Sequence, residues 1–96
     1  MHVGDANSDA EVFEISVSEE ASIAGETLEE ADVAGYLSPS MVVVAVERDG
    51  EVIIPRGNTE IESNDLVTVF SKDGVIQEVV TPFNPARKES AQRNSG

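Results

Sequence analysis

Residues 41–54 constrain this chain more than any other stretch. Residues 41–46 read Met-Val-Val-Val-Ala-Val, rich in β-branched side chains that fit a pleated sheet and apolar at both alternating sets of positions. This is the pattern of an inner strand. Asp49-Gly50 then supplies the two positive-φ positions of a type I′ turn. Such a turn sets Arg48 opposite Glu51, Val46 opposite Ile53 and Ala45 opposite Ile54. On a regular ribbon, Val42, Val44, Val46 and Ile53 face one way, and Met41, Val43, Ala45, Val52 and Ile54 the other. Neither face suits water.

A domain with few helices cannot cover such a ribbon on both sides, so the pattern predicts that a second copy covers one face, giving a homodimer. Arg48 and Glu51 form an expected cross-strand charge pair at the hairpin tip, worth about 0.2–1 kcal/mol. The pair tunes the turn. The apolar faces hold the fold.

Length supports association. A chain of 96 residues allows one domain, and at this size a core is often marginal alone. There is no Cys, which excludes a disulfide framework and a thiolate metal site. The longest apolar run, residues 41–46, falls far short of the roughly 20 residues that cross a bilayer, so no membrane insertion is expected of this segment.

Charge narrows the partners further. Six Lys and Arg stand against 19 Asp and Glu, a net charge of −13, which repels phosphate backbones and anionic lipid. No nucleic acid polymer is expected as a partner. The acids present either a binding face for cations or basic partners, or an adaptation to high salt. They fall in every segment instead of one patch, which favours the second.

In chain order, residues 1–10 are small and polar and are expected to form a disordered lead-in. Asp5, Asn7 and Asp9 imitate the start of an EF-hand loop, but Ala10 stands where that loop turns on Gly and Ser16 where it needs a bidentate Glu. Residues 11–17 alternate as a half-buried strand with Phe13, Ile15 and Val17 inward, Val12 being the exception. Thr27 and Glu30 have the spacing of a capping box, so a short helix is expected from there, with Leu28 and Ala31 inward and Gly35 as its stop.

After the hairpin, Pro55-Arg56-Gly57-Asn58-Thr59 turns the chain back. Ser63-Asn64-Asp65 is a tight turn in which Asn64 tolerates the left-handed conformation. Residues 66–70 form the last strand. Asp73 is then placed to cap a closing helix with Val75, Ile76, Val79, Val80 and Phe83 on its inner face. Residues 84–96 lack a large apolar anchor and are expected to be a flexible tail.

The inventory does not favour an enzyme. His2 is the only histidine, and no Ser has a recognisable base partner, so nucleophilic triads and zinc sites lack their parts.

The ordered series is more informative. Ala24-Gly25-Glu26-Thr27-Leu28 opens a helix after a strand, an apolar strand ends in Arg48-Asp49-Gly50, Ile54-Pro55-Arg56-Gly57-Asn58-Thr59 follows, and Asn64-Asp65-Leu66 precedes another strand. This series resembles the TrkA-C family, the C-terminal domains of RCK regulators of potassium channels and transporters, over residues 11–83. The family usually has Gly-Asp where this chain has Asn64-Asp65, a replacement the same backbone accepts. The dinucleotide-binding domain that commonly precedes the module would carry G-x-G-x-x-G, which is absent here. A standalone copy, or a piece of a larger regulator or transporter, is expected.

The resemblance implies an α+β fold: a small, mainly antiparallel sheet with a central hairpin and two short helices, dimeric. It further implies a regulatory module that senses a small ligand between subunits and acts on a membrane potassium channel or transporter subunit, at the cytoplasmic side. In some relatives that ligand is cyclic di-AMP. By position, the ligand-binding residues are Val42, Val43, Arg48, Ile54 and Pro55, with no metal ligands and no fixed cofactor beyond cyclic di-AMP or another small nucleotide. Arg48 suits a phosphate because guanidinium binds two oxygens at once; its plainer role is pairing with Glu51. Glu47, Asp49 and Glu51 oppose a doubly charged nucleotide, so a metal cation, or a purely structural dimerisation module with no ligand, stands as the alternative.

Overall fold

The computed structural model describes residues 9–88. The expected lead-in up to residue 8, the tail from residue 89, His2, and two of the three EF-hand-like residues lie outside them. Among the described residues four strands and two short helices run in the order β1 (Glu11–Ser16), α1 (Leu28–Val33), β2 (Met41–Arg48), β3 (Glu51–Ile53), β4 (Leu66–Ser71) and α2 (Gln77–Val80). The strands form one antiparallel sheet ordered β1-β4-β2-β3. The fold is the small α+β sheet that the sequence implies.

The hairpin forms as its turn residues dictate. Asp49 and Gly50 take φ values of 54° and 82°, and Val46 pairs with Ile53 and Arg48 with Glu51. The expected Ala45–Ile54 pair lies past the end of β3, because Pro55 has no N–H to continue the ladder. The expected division of faces needs a second correction. Against β4, Val43 pairs with Val69 but Ala45 with Thr68, so Val44 is an extra residue in a β-bulge. A bulge reverses the alternation beyond it. Met41, Val43 and Val46 therefore share the core face, while Val42 and Val44 are exposed.

The core lies on one side of the sheet. Ile15 and Val17, Val46, Val67 and Val69 meet Ile23, Ala31, Ile61, Val79, Val80 and Phe83, all nearly inaccessible. Fully burying each Val, Ile or Phe contributes about 1.5–3 kcal/mol, so this face carries the fold. The other face stays open. There, Val12 pairs with Phe70 and Phe70 with Val42, giving an apolar row across three strands.

Helix α1 is capped as its sequence dictates: Thr27 Oγ1 accepts from Glu30 N at 3.1 Å and Glu30 Oε1 from Thr27 N at 2.9 Å. The helix ends at Val33, with Ala34 as its C-cap just before Gly35. The closing helix differs from expectation. Asp73 does not cap it; Ile76 is its N-cap, in an extended conformation, and only four residues are helical. Gly74 sets the reason, with φ 82° and a position where a Cβ would stand 2.9 Å from the Asp9 carbonyl oxygen. Val75 then lies in a tight bend, with Ile76 N donating to the Gly74 carbonyl at 3.0 Å, Ile76 is extended, and the helix starts only at Gln77. Val79, Val80 and Phe83 are still buried.

Candidate functional site

The five residues singled out by position separate into two places. Val42, Val43 and Pro55 come together in a groove of about 550 Å³, walled by Leu28, Leu37 and Met41 and rimmed by Glu29, Asp32, Arg56 and Gly57. Ile54 is exposed and does not line it. Arg48 is at the far end of β2, roughly 20 Å from Val42 at ~3.3 Å per strand residue.

The groove exists because the Pro-x-Gly-x-Thr turn docks on the start of α1. Arg56 N donates to Thr59 Oγ1 at 2.8 Å, and Thr59 N donates to the Arg56 carbonyl at 3.0 Å. The turn is closed on itself. Its carbonyls then accept from the helix: Leu28 N reaches Thr59 O at 3.0 Å and Glu29 N reaches Gly57 O at 2.9 Å. These are N–H groups that a helix start leaves without intrahelical partners. The motif thus holds the helix, and the gap between them and the start of β2 is the groove.

Arg48 has a different occupation. Its Nε and Nη2 donate to Asp65 Oδ1 and Oδ2 at 2.8 and 2.7 Å, and Nη2 also donates to the Glu60 carbonyl at 2.8 Å. Glu62 adds an ion pair at 3.5 Å. The expected partner Glu51 is not used: the guanidinium fork of Arg48 closes on the loop before β4, not across the turn. Asp65 is 1% exposed and accepts a further bond from Glu62 N at 2.9 Å. Asn64, at φ 74°, turns the chain so that this carboxylate points inward. Burial alone would raise the Asp65 carboxyl; the bonds from Arg48 and from Glu62 N overcome it and hold it below its ordinary value. Bonding to Asp65 in turn raises Arg48, against its own partial burial.

Sequence reasoning missed Leu28, Leu37, Met41, Glu29, Asp32 and Arg56 as groove residues. The available signal was the Pro-x-Gly-x-Thr motif, whose central positions face whatever the turn docks on. Asp65 was read as a turn residue only, although a carboxylate after a left-handed Asn is aimed back into the molecule. Among the described residues no group of three His, Cys, Asp or Glu could hold a metal ion, and no helix is long and apolar enough to cross a membrane.

Comparison with known proteins agrees with this architecture. The Trk system potassium uptake protein TrkA homolog of Pyrococcus abyssi is 26% identical over 80 residues, covering 83% of this chain and 34% of that protein. Its Pyrococcus horikoshii counterpart matches to the same extent. The chain thus spans about a third of the length of these curated relatives. Among solved structures, the RCK_C domain dimer of S. agalactiae BusR in complex with c-di-AMP matches with a TM-score of 0.59 at 29% identity, over 77% of this chain and 96% of that one. S. agalactiae BusR in complex with its busA-promoter DNA matches with a TM-score of 0.64 at 26% identity, over 88% of this chain and 42% of that one. The TrkA-C domain model matches residues 12–84, taking in the sheet, the capped helix and the docked Pro-x-Gly-x-Thr turn alike, and the chain belongs to the TrkA-C domain family.

Proposed function

We propose that this chain is a regulatory module that dimerises through the open face of its sheet, binds a small ligand beside that seam, and controls potassium or other cation transport. The observation that carries this reading is Val42, which belongs both to the exposed Val12–Phe70–Val42 row and to the wall of the groove. A second copy seated on the row borders the groove. The c-di-AMP-bound BusR dimer supports a cyclic dinucleotide as the class of ligand, and the TrkA homologues support potassium uptake as the process. The module then works at the cytoplasmic side of a membrane channel or transporter. The acidic surface serves as an adaptation to high salt and argues against contact between this module and DNA.

A second reading, a dimerisation module with no ligand, is favoured by one observation: Glu29 and Asp32 line the groove and oppose an anion. Thermal shift in molar KCl against cyclic dinucleotides, adenine nucleotides and divalent cations separates the two. A ligand at 100 times its dissociation constant adds ~2.7 kcal/mol to stability. A stabilising shift with a cyclic dinucleotide is the expected result. A dimer that no compound shifts selects the second reading, and a monomer at micromolar concentration overturns both.

A further inference from the structure

We infer that Arg56, and not Arg48, is the residue that contacts the phosphate of an anionic ligand in this groove; the inference rests on the ligand-binding reading above. Two independent observations lead to it. Arg48 is fully engaged, its fork closed on Asp65 and the Glu60 carbonyl at 2.7–2.8 Å, and freeing it would leave the buried Asp65 carboxylate without its counterion. It also stands at the wrong end of β2. Arg56, by contrast, lines the groove, is exposed, and among the described residues its guanidinium makes no ion pair within 4.0 Å.

Among the described residues the remaining cations lie elsewhere: Lys72 follows β4, and Arg87 and Lys88 follow α2. None lines the groove. Backbone placement also favours Arg56. The paired bonds between Arg56 and Thr59, and those from Leu28 and Glu29 onto the same turn, fix the Cα from which the side chain projects. A planar, two-pronged donor on a fixed mount is the arrangement that recognises a phosphate through two oxygens at once.

The acids of the groove define the rest of the ligand. Glu29 and Asp32 on the helix side make the rim net negative, so a bare phosphate dianion is poorly held. A phosphodiester carrying a flat, largely apolar group meets both demands. Its phosphate takes the Arg56 end, and its ring rests on Leu28, Leu37, Val43 and Pro55. A nucleotide base linked through a phosphodiester is that class of ligand.

The test is calorimetric titration of the whole chain in molar KCl with cyclic di-AMP, cyclic di-GMP and inorganic phosphate, on wild type, Arg56→Gln and Arg56→Lys. Arg56→Gln is expected to weaken cyclic dinucleotide binding at least tenfold while leaving the unliganded melting temperature unchanged, because the side chain is exposed and its backbone bonds to Thr59 remain. Arg56→Lys keeps the charge and is expected to lose less. Inorganic phosphate is expected not to bind at millimolar concentration. Wild-type binding with Arg56→Gln within twofold of it overturns the role of Arg56 and leaves the ligand reading intact. Phosphate binding as tight as the dinucleotides overturns the phosphodiester assignment. Failure of wild type to bind any cyclic dinucleotide removes the ligand reading and this inference together.

Discussion

Asp65 is the residue on which the two halves of the molecule depend. It fixes Arg48 from the hairpin tip and Glu62 N from its own loop, while its backbone carbonyl accepts from Val17 N at 2.9 Å. Asp65→Ala leaves a guanidinium that is 28% exposed and a loop N–H without their acceptor. The expected loss is about 2–4 kcal/mol, read as a lower urea midpoint. The pH dependence has a definite sign. The folded carboxyl lies below its ordinary value of 3.8, so its contribution is complete above that value and disappears as pH falls through the lowered one. General relief of acidic repulsion at low pH acts on both proteins. The comparison is therefore the difference in unfolding free energy between wild type and Asp65→Asn, expected to be constant above about pH 5 and to shrink below pH 4. A gap that stays constant down to pH 2 would exclude the pairing as its source.

The elements differ in how far their sequence announces them. Local chemistry specifies α1: Thr27→Ala removes one half of its capping box and is expected to cost about 1 kcal/mol, seen as a lower melting temperature without change in the strands. The Asp49-Gly50 hairpin and the left-handed Asn64 were equally legible, because each depends on backbone preferences of one or two residues. The bulge at Val44 was not. Nothing in Val-Val-Val-Ala marks which residue is extra; the β4 partner decides, by keeping Val67 and Val69 in the core while Thr68 faces outward. The closing helix failed for a related reason. Val75, Ile76, Val79 and Val80 fit a helical stripe, yet Gly74 and the Asp9 carbonyl beside it force the chain to enter extended, and burial of Val79 and Phe83 is achieved with a single turn. At the groove, Val42, Val43 and Pro55 come together because they are neighbours along or across the hairpin. Arg48 does not line the groove, and its pairing with Asp65, 17 residues away, was not legible because tertiary packing sets it.

For the whole molecule, charge and the open sheet face act against each other. The row Val12, Phe70, Val42 invites a second copy, but Glu14 and Glu47 are exposed on the strands that carry it, and each chain brings a net charge of −13. Phe70→Asp adds a charge at the centre of the row, where the side chain is 37% exposed. It is expected to give a monomer by analytical ultracentrifugation with the far-ultraviolet circular dichroism of wild type. Salt should have the opposite effect. The molecule measures 36 × 28 × 28 Å, and the screening length is ~30 Å at 0.01 M but ~3 Å at 1 M salt. At the lower strength every carboxylate repels every other across the fold; at the higher one only near neighbours interact. Raising KCl from 0.01 to 1 M is therefore expected to lift the melting temperature by at least ~5 °C, equivalent to about 1 kcal/mol for a domain of this size, and to shift the monomer–dimer equilibrium toward the dimer. Phe70→Asp should retain the thermal gain, which belongs to the fold, and lose the association, which belongs to the face. Equal stability at both salt concentrations would refute the high-salt reading of the surface, whereas a monomer at every concentration would refute the pairing alone.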